Sequence, residues 1–150
     1  MIAKATIEHL DEIIKIENSS FDKPWSLIHF KSDLDKDKIS RNWVYLEDNQ
    51  IIAYVFGWLI ENEYHLNNIA VRKDFRGKNI ASKLFDFVIA DLINLNAETV
   101  MLEVSANNLP ARKLYESKGF IPVGARKDYY TKGDDAVLYI LELKNIGVNK

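Results

Sequence analysis

The chain has 150 residues, 47% of them hydrophobic, and a formal net charge of −2, which fits one domain, residues 1–150, around a single core. So near-neutral a balance leaves no overall basic field to hold nucleic acid. With no cysteine, disulfides, zinc–thiolate sites and a cysteine nucleophile are excluded.

The N-terminal stretch "MIAKATIEHLDEIIKIENSSF" mixes acids and bases into its apolar residues, unlike a signal peptide. No apolar run approaches the roughly 20 residues that span a bilayer. A cytoplasmic location and no membrane contact are therefore expected. Within that stretch Leu10, Ile13 and Ile14 are spaced as one face of a helix, with Thr6 as its cap. "KPWSLIHFKSDL" follows as a second, shorter helix capped by Ser26. "NWVYLEDNQIIAYVFGWLI" reads as two strands around a turn at Asp48–Asn49, and "EYHLNNIAV" as a third strand.

Next comes a joint carrying Arg72, Lys73, Arg76 and Lys78, with Gly77 among them. The helix beyond it places Ala81, Leu84, Phe85, Val88, Leu92 and Leu95 on one face, and Asn79, Lys83, Asp86 and Asn94 on the other. "AETVMLEV" is another strand. "NNLPARKLYESKG" is another helix, capped by Asn107 or Asn108, with Pro110 in its first turn and Gly119 as terminator. The strands "FIPVGARKDYY" and "AVLYILEL" close the chain, with Asp134 and Asp135 as a polar turn between them; the tail 145–150 is expected to fray. The order predicts a mixed α/β sheet with helices packed on it.

The joint has the parts of an anion cradle. A helix N-terminus offers unpartnered N–H groups and the positive end of the macrodipole. Gly77 lets the chain approach a ligand closely, and Arg76 and Lys78 add charge. Neither a Walker loop nor a Gly-x-Gly-x-x-Gly fingerprint is present, and a solvated basic turn ahead of a helix would read the same way. His9, His29 and His65 lack metal-ligand spacing, so no metal site is expected.

"RGKNIA", Arg76 to Ala81, resembles the Gln/Arg-x-x-Gly-x-Gly/Ala pyrophosphate loop of the GNAT superfamily of N-acetyltransferases. "NIAV" before it and "LEVSANNLPARKLYESKGF" after it match as well. The likeness runs from "FDKPWS" to "YY" and is nearest to the bacterial ribosomal-protein-alanine N-acetyltransferase type. It implies a mostly antiparallel central sheet of about six or seven strands flanked by about four helices, and acetyl-coenzyme A as co-substrate. Ile69, Ala70 and Val71 would lie along the pantetheine arm. Arg76, Gly77, Lys78, Asn79, Ile80, Ala81 and Ser82 would hold the pyrophosphate, and Asn108 would also contact the cofactor. Asn79 departs from the family, standing where its first motif glycine usually is. Asparagine tolerates left-handed angles and caps helices, which would preserve the loop.

Acetyl transfer to an amine needs a base, because an α-amino group has a pKa of roughly 8 and a lysine roughly 10.4, and an acid for the departing thiolate. Alternation puts Glu103 on the face of Met101, opposite Leu102 and Val104, where it could equally be a solvent-facing glutamate. Tyr115 shares a helical face with Asn108, Ala111 and Arg112 and could equally be a core tyrosine. The resemblance makes Glu103 the general base and Tyr115 the general acid, with direct attack in a ternary complex. It also makes Phe21, Pro24, Trp25, Tyr129 and Tyr130 walls of a peptide acceptor site, and sets Ser105 where relatives commonly carry arginine. The acceptor implied is a protein N-terminus, best the alanine of a small-subunit ribosomal protein. A lysine or small-amine acetyltransferase, and a non-catalytic coenzyme A-binding regulatory module, are the alternatives.

Overall fold

The structure, a computed structural model, describes residues 1–144; the tail expected to fray, 145–150, lies outside the described residues. Its strands are β1 (Ile2–Lys4), β2 (Trp43–Glu47), β3 (Gln50–Ile60), β4 (Glu63–Val71), β5 (Thr99–Ser105), β6 (Ile121–Thr131) and β7 (Asp134–Glu142). Its helices are α1 (Leu10–Ser20), α2 (Leu27–Leu34), α3 (Ile80–Asn94) and α4 (Leu109–Ser117). The strands form one sheet in the order β1-β2-β3-β4-β5-β7-β6, antiparallel throughout except for the β4–β5 pair. The mixed sheet expected from the order of elements, and its mostly antiparallel pairing expected from the family resemblance, are thus present. No described helix is long and apolar enough to cross a membrane.

Local chemistry explains most boundaries. Asp48 (φ 52°) and Asn49 (φ 63°) both adopt left-handed angles, the two-residue connection whose twist suits a hairpin. Ser26 caps α2 by accepting the His29 N–H (3.1 Å). Asn108, of the two asparagines considered, caps α4 by accepting the Ala111 N–H (3.3 Å). Three details differ from expectation. β1, of three residues, is too short to show alternation in the sequence. Ile16 and Glu17 join Leu10 and Ile13 as the buried face of α1, whereas Ile14 is half-buried. On α3, Ile80 and Ile89 complete the buried stripe, while Leu95 sits past the helix end and is 41% exposed.

The central strands of the sheet are covered on both faces, while β6 at the edge is exposed along its length. Leu84, Phe85, Val88 and Leu92 of α3 cover Val55, Tyr64, Leu66, Val100 and Leu102; each such side chain contributes about 1.5–3 kcal/mol. Leu10, Ile13 and Ile16 of α1 and Phe30 of α2 cover the opposite face, against Val44, Tyr54 and Phe56. On β4, Asn67 is an extra residue: Phe56 faces Asn68 and Gly57 faces Leu66, so Asn67 has no partner. A one-residue bulge reverses the alternation beyond it. Tyr64 and Leu66 therefore point to the α3 side, whereas Ala70 packs on the α1 side and Asn68 reaches Glu17 of α1.

β4 and β5 pair only through Glu63–Thr99, Tyr64–Val100 and His65–Met101, then diverge. β4 runs on to Val71 and β5 to Ser105, so their C-terminal halves border an open gap in the middle of the sheet.

Candidate active site

The chain leaves β4 at the edge of this gap, and Arg72 opens a short 3₁₀ turn, Lys73–Phe75. Arg72 pairs with Asp74 (Nε to Oδ1, 2.7 Å) and lies over the Phe75 ring (4.6 Å), as does Lys78 (5.1 Å). Two left-handed residues then turn the chain into α3: Gly77 (φ 76°) and Asn79 (φ 62°). Asparagine takes the angle that a glycine would take there, as its short side chain allows. An added Cβ on Gly77 would meet no heavy atom within 4 Å, so the space above this peptide is open.

The first main-chain bond of α3 runs from Lys83 N–H to Asn79 C=O (3.0 Å). Among the described residues, the N–H groups of Gly77, Lys78, Asn79, Ile80, Ala81 and Ser82 find no main-chain or side-chain acceptor. A run of free amides at the start of a 15-residue helix favours an anion of phosphate type. Arg76, expected to face that anion, turns the other way: Nε donates to Val71 C=O (2.9 Å) and Nη2 to Ser20 Oγ (3.0 Å). In this structure it braces the turn against α1. Ile69 and Val71 are half-buried against the α3-side core and Ala70 is buried in the α1-side core, so these residues line up along β4 beside the gap.

Across the gap, β5 alternates as expected, with Leu102 and Val104 in the core and Glu103 on the half-buried face. Glu103 Oε1 pairs with Arg126 Nη2 of β6 (3.2 Å). Its Oε2 is buried and without a hydrogen-bond partner among the described residues. Such an oxygen is an acceptor lacking its donor, a state that native structures keep for water or ligand.

Tyr115 is 5% exposed. Its ring packs on Phe85 (5.6 Å), Phe120 (5.7 Å) and Tyr139 (6.2 Å). Its hydroxyl makes no hydrogen bond with the described residues. Burial, then repulsion from Tyr130, pushes the phenol well above its usual range. Tyr130 itself is pushed up by burial, then by Glu103, Tyr129 and Asp134. Glu103, Tyr130 and Tyr115 thus share one electrostatic neighbourhood, although they come from β5, β6 and α4. Beneath Tyr115, the Tyr139 hydroxyl donates to Glu116 Oε2 (2.6 Å) and accepts from Arg112 Nε (3.0 Å), which fixes α4 on the sheet.

The expected acceptor walls are uneven. Phe21 is 41% exposed, Tyr129 52% and Tyr130 38%, and the two tyrosines meet edge-on at 5.0 Å. Trp25 is more firmly held, stacked on His29 (3.8 Å) and against Phe30 (5.1 Å), and its N–H donates to Glu17 Oε2 (2.8 Å). Asp134 and Asp135 do not form the turn between the last strands. Lys132 and Gly133 (φ 82°) turn the chain, and both aspartates begin β7. Asp134 accepts bonds from the Ser105 hydroxyl and from Asn107 Nδ2, which leaves a second carboxyl group beside Tyr130.

Glu17 and Arg126 were the residues that sequence reasoning missed. Arg126 carries no local signal, because only strand pairing brings it to Glu103. Glu17 did carry one: it occupies a core-facing position of α1, between Ile13 and the start of the loop.

Comparison with known proteins agrees with this geometry. The acetyltransferase (GNAT) family pattern matches residues 10–120. The [ribosomal protein bS18]-alanine N-acetyltransferase of Haemophilus ducreyi is 32% identical over 136 residues, covering 89% of this chain and 91% of its own. An N-alpha-acetyltransferase of Saccharolobus solfataricus is 30% identical, covering 91% of this chain and 89% of its own. The crystal structure of the ribosomal-protein-S18-alanine N-acetyltransferase from Escherichia coli superposes with a TM-score of 0.90 at 27% identity, over 95% of this chain and 93% of that one. With its free amide run, split sheet and matching relatives, the chain belongs to the acetyltransferase (GNAT) family.

Proposed function

We propose that this chain moves the acetyl group of acetyl-coenzyme A to the N-terminal α-amine of a protein, with the alanine of a small-subunit ribosomal protein as the best single target. Relatives named for that reaction support the acceptor class. The residues fit the donor: the amides of Gly77 to Ser82 suit a diphosphate, and the gap between β4 and β5 admits an extended arm along Ile69, Ala70 and Val71. Asn108, at the N-terminus of α4, stands ready as a further polar contact. Acetyl-coenzyme A supplies the activated acyl group.

The chain's own residues supply the proton handling. Glu103 Oε2 accepts the proton of the incoming amine, directly or through one water, and Tyr115 gives its phenolic proton to the departing sulfur. Burial keeps that phenol protonated at neutral pH, so it is available as a donor. Phe21, Trp25, Tyr129 and Tyr130 form the apolar walls around the acceptor peptide. The observation that carries the reading is the run of free amides from Gly77 to Ser82 beside the gap where β4 and β5 diverge, with a buried Glu103 oxygen lacking its donor on the β5 side.

A peptide beginning with alanine and carrying an internal lysine tests it. Incubated with acetyl-coenzyme A and analysed by mass spectrometry, it should gain acetyl at the α-amine. Acetate only on lysine would replace the reading with a side-chain acetyltransferase. Stabilisation by coenzyme A without turnover on any amine would leave a binding module.

A further inference from the structure

Glu17 is 1% exposed and the reaction outlined above makes no direct use of it. Its carboxyl group is nevertheless met by three donors. Oε1 accepts from the Tyr54 hydroxyl (2.5 Å) and from Asn68 Nδ2 (2.8 Å), and Oε2 accepts from Trp25 N–H (2.8 Å). These donors come from β3, from β4 just beyond the Asn67 bulge, and from the loop between α1 and α2. Burying a carboxyl group so deeply is costly unless hydrogen bonds compensate it, and here both oxygens have donors.

The three struts are not equivalent. Tyr54 and Asn68 are already fixed by the sheet, through the pairs Tyr54–Ala70 and Phe56–Asn68. The loop has no ladder. Of the main-chain N–H groups from Asp22 to Ser26, only that of Trp25 is bonded among the described residues, and its acceptor is Glu17. Release of this bond would free the loop while leaving β4 in register. A few residues on, Ser20 receives Arg76 (3.0 Å), so the last turn of α1 touches both the aromatic loop and the turn of free amides.

We infer that Glu17 is a positioning residue for the acceptor: it holds the Phe21–Trp25 loop against the β4 strand, so that the aromatic wall stands at a fixed distance from Glu103 and the gap. This rests on the proposed acceptor reading and adds a residue that acts through Trp25 rather than on the substrate. It also accounts for the bulge, since without Asn67 the side chain of Asn68 would face α3 and could not reach the carboxyl group.

Glu17→Gln is the test. Glutamine has a single oxygen; set where Tyr54 and Asn68 both donate, it keeps those two struts and turns its NH2 towards the Trp25 N–H, so the Trp25 strut is lost at almost constant volume. By amide exchange in NMR spectra, the Trp25 N–H should exchange at least about tenfold faster than in the wild type. The KM for an N-terminal peptide should rise between about ten- and a hundredfold, the worth of one bond to a charged group. The Kd for acetyl-coenzyme A should stay within about twofold, because the β4 register is kept. A merely destabilised protein would lose active fraction, and hence kcat, without moving peptide KM. If Glu17→Gln does not fold, Tyr54→Phe removes one strut more gently and should shift both readouts the same way by a smaller factor. Unchanged Trp25 exchange, unchanged peptide KM, or a parallel loss of acetyl-coenzyme A affinity would each overturn the inference. Should the wild-type chain bind acetyl-coenzyme A yet acetylate no N-terminal peptide, the acceptor reading fails and this role with it, even if Glu17 proves to hold the loop.

Discussion

Replacing Tyr115 with phenylalanine separates a catalytic phenol from a packing tyrosine, because the structure gives the two roles opposite signatures. The ring contacts with Phe85, Phe120 and Tyr139 survive the change. The hydroxyl has no hydrogen-bond partner among the described residues, so its removal forfeits no bond within the protein. Thermal unfolding should therefore show Tyr115→Phe at least as stable as the wild type. Turnover should fall by about 10²- to 10⁴-fold, which is about 2.7–5.5 kcal/mol on the barrier, with the Kd for acetyl-coenzyme A unchanged. The alkaline limb gives an independent check. The folded phenol is held above its usual value, so the folded state keeps a proton that the unfolded chain releases near pH 10. That contribution is fully present below pH about 10 and is lost as pH rises beyond it. In Tyr115→Phe the decline of stability above pH 10 should be shallower by up to about 1.4 kcal/mol per pH unit. Undiminished turnover, measured by release of free thiol, would refute the acid role. A marked loss of stability would show that the hydroxyl holds the fold.

Other perturbations test other joints. Glu103→Gln retains the shape but cannot take a proton, so thiol-release assays should show kcat lower by about 10²- to 10⁴-fold at unchanged acetyl-coenzyme A affinity. Asn79→Val forces a β-branched residue to φ 62° and should cost about 1–2 kcal/mol by denaturant titration while weakening acetyl-coenzyme A binding. Asn79→Gly should leave both intact. Gly57→Ala would place a Cβ 2.3 Å from the Tyr64 ring and 2.6 Å from His65 C=O; about 3 kcal/mol of destabilisation is expected by denaturant titration, and an unchanged midpoint would refute the packing of Tyr64 beneath β3.

What could be read in the sequence was whatever has a short period or a fixed local chemistry. β4 and β5 announced themselves by alternation, the hairpin by Asp48–Asn49, and α2 by Ser26. Gly77 and Asn79 showed the turn because only certain residues accept their angles. The site was legible where its residues lie within one segment, as along Arg76 to Ser82. It was illegible where pairing across the sheet assembles it. Arg126 reaches Glu103 only because β6 and β5 both flank β7, and Asp134 joins Ser105 only through the register that sets Ser105 against Ala136. The bulge at Asn67 leaves no trace in composition, yet it decides which side of the sheet Asn68 serves. Glu17 falls on the core-facing side of α1, but nothing in its neighbours reveals that Tyr54, Asn68 and Trp25 converge on it.

Because β4 and β5 part after His65 and Met101, the seven strands behave as two panels stitched along one short seam. A molecule seated between them becomes a mechanical tie, and whatever grip the protein has on it is also resistance to coming apart. At a hundredfold excess over Kd, such a tie adds about 2.7 kcal/mol against unfolding. On the proposed reading, occupancy by the acetyl carrier is thereby written into the melting temperature, whether or not an acceptor ever arrives.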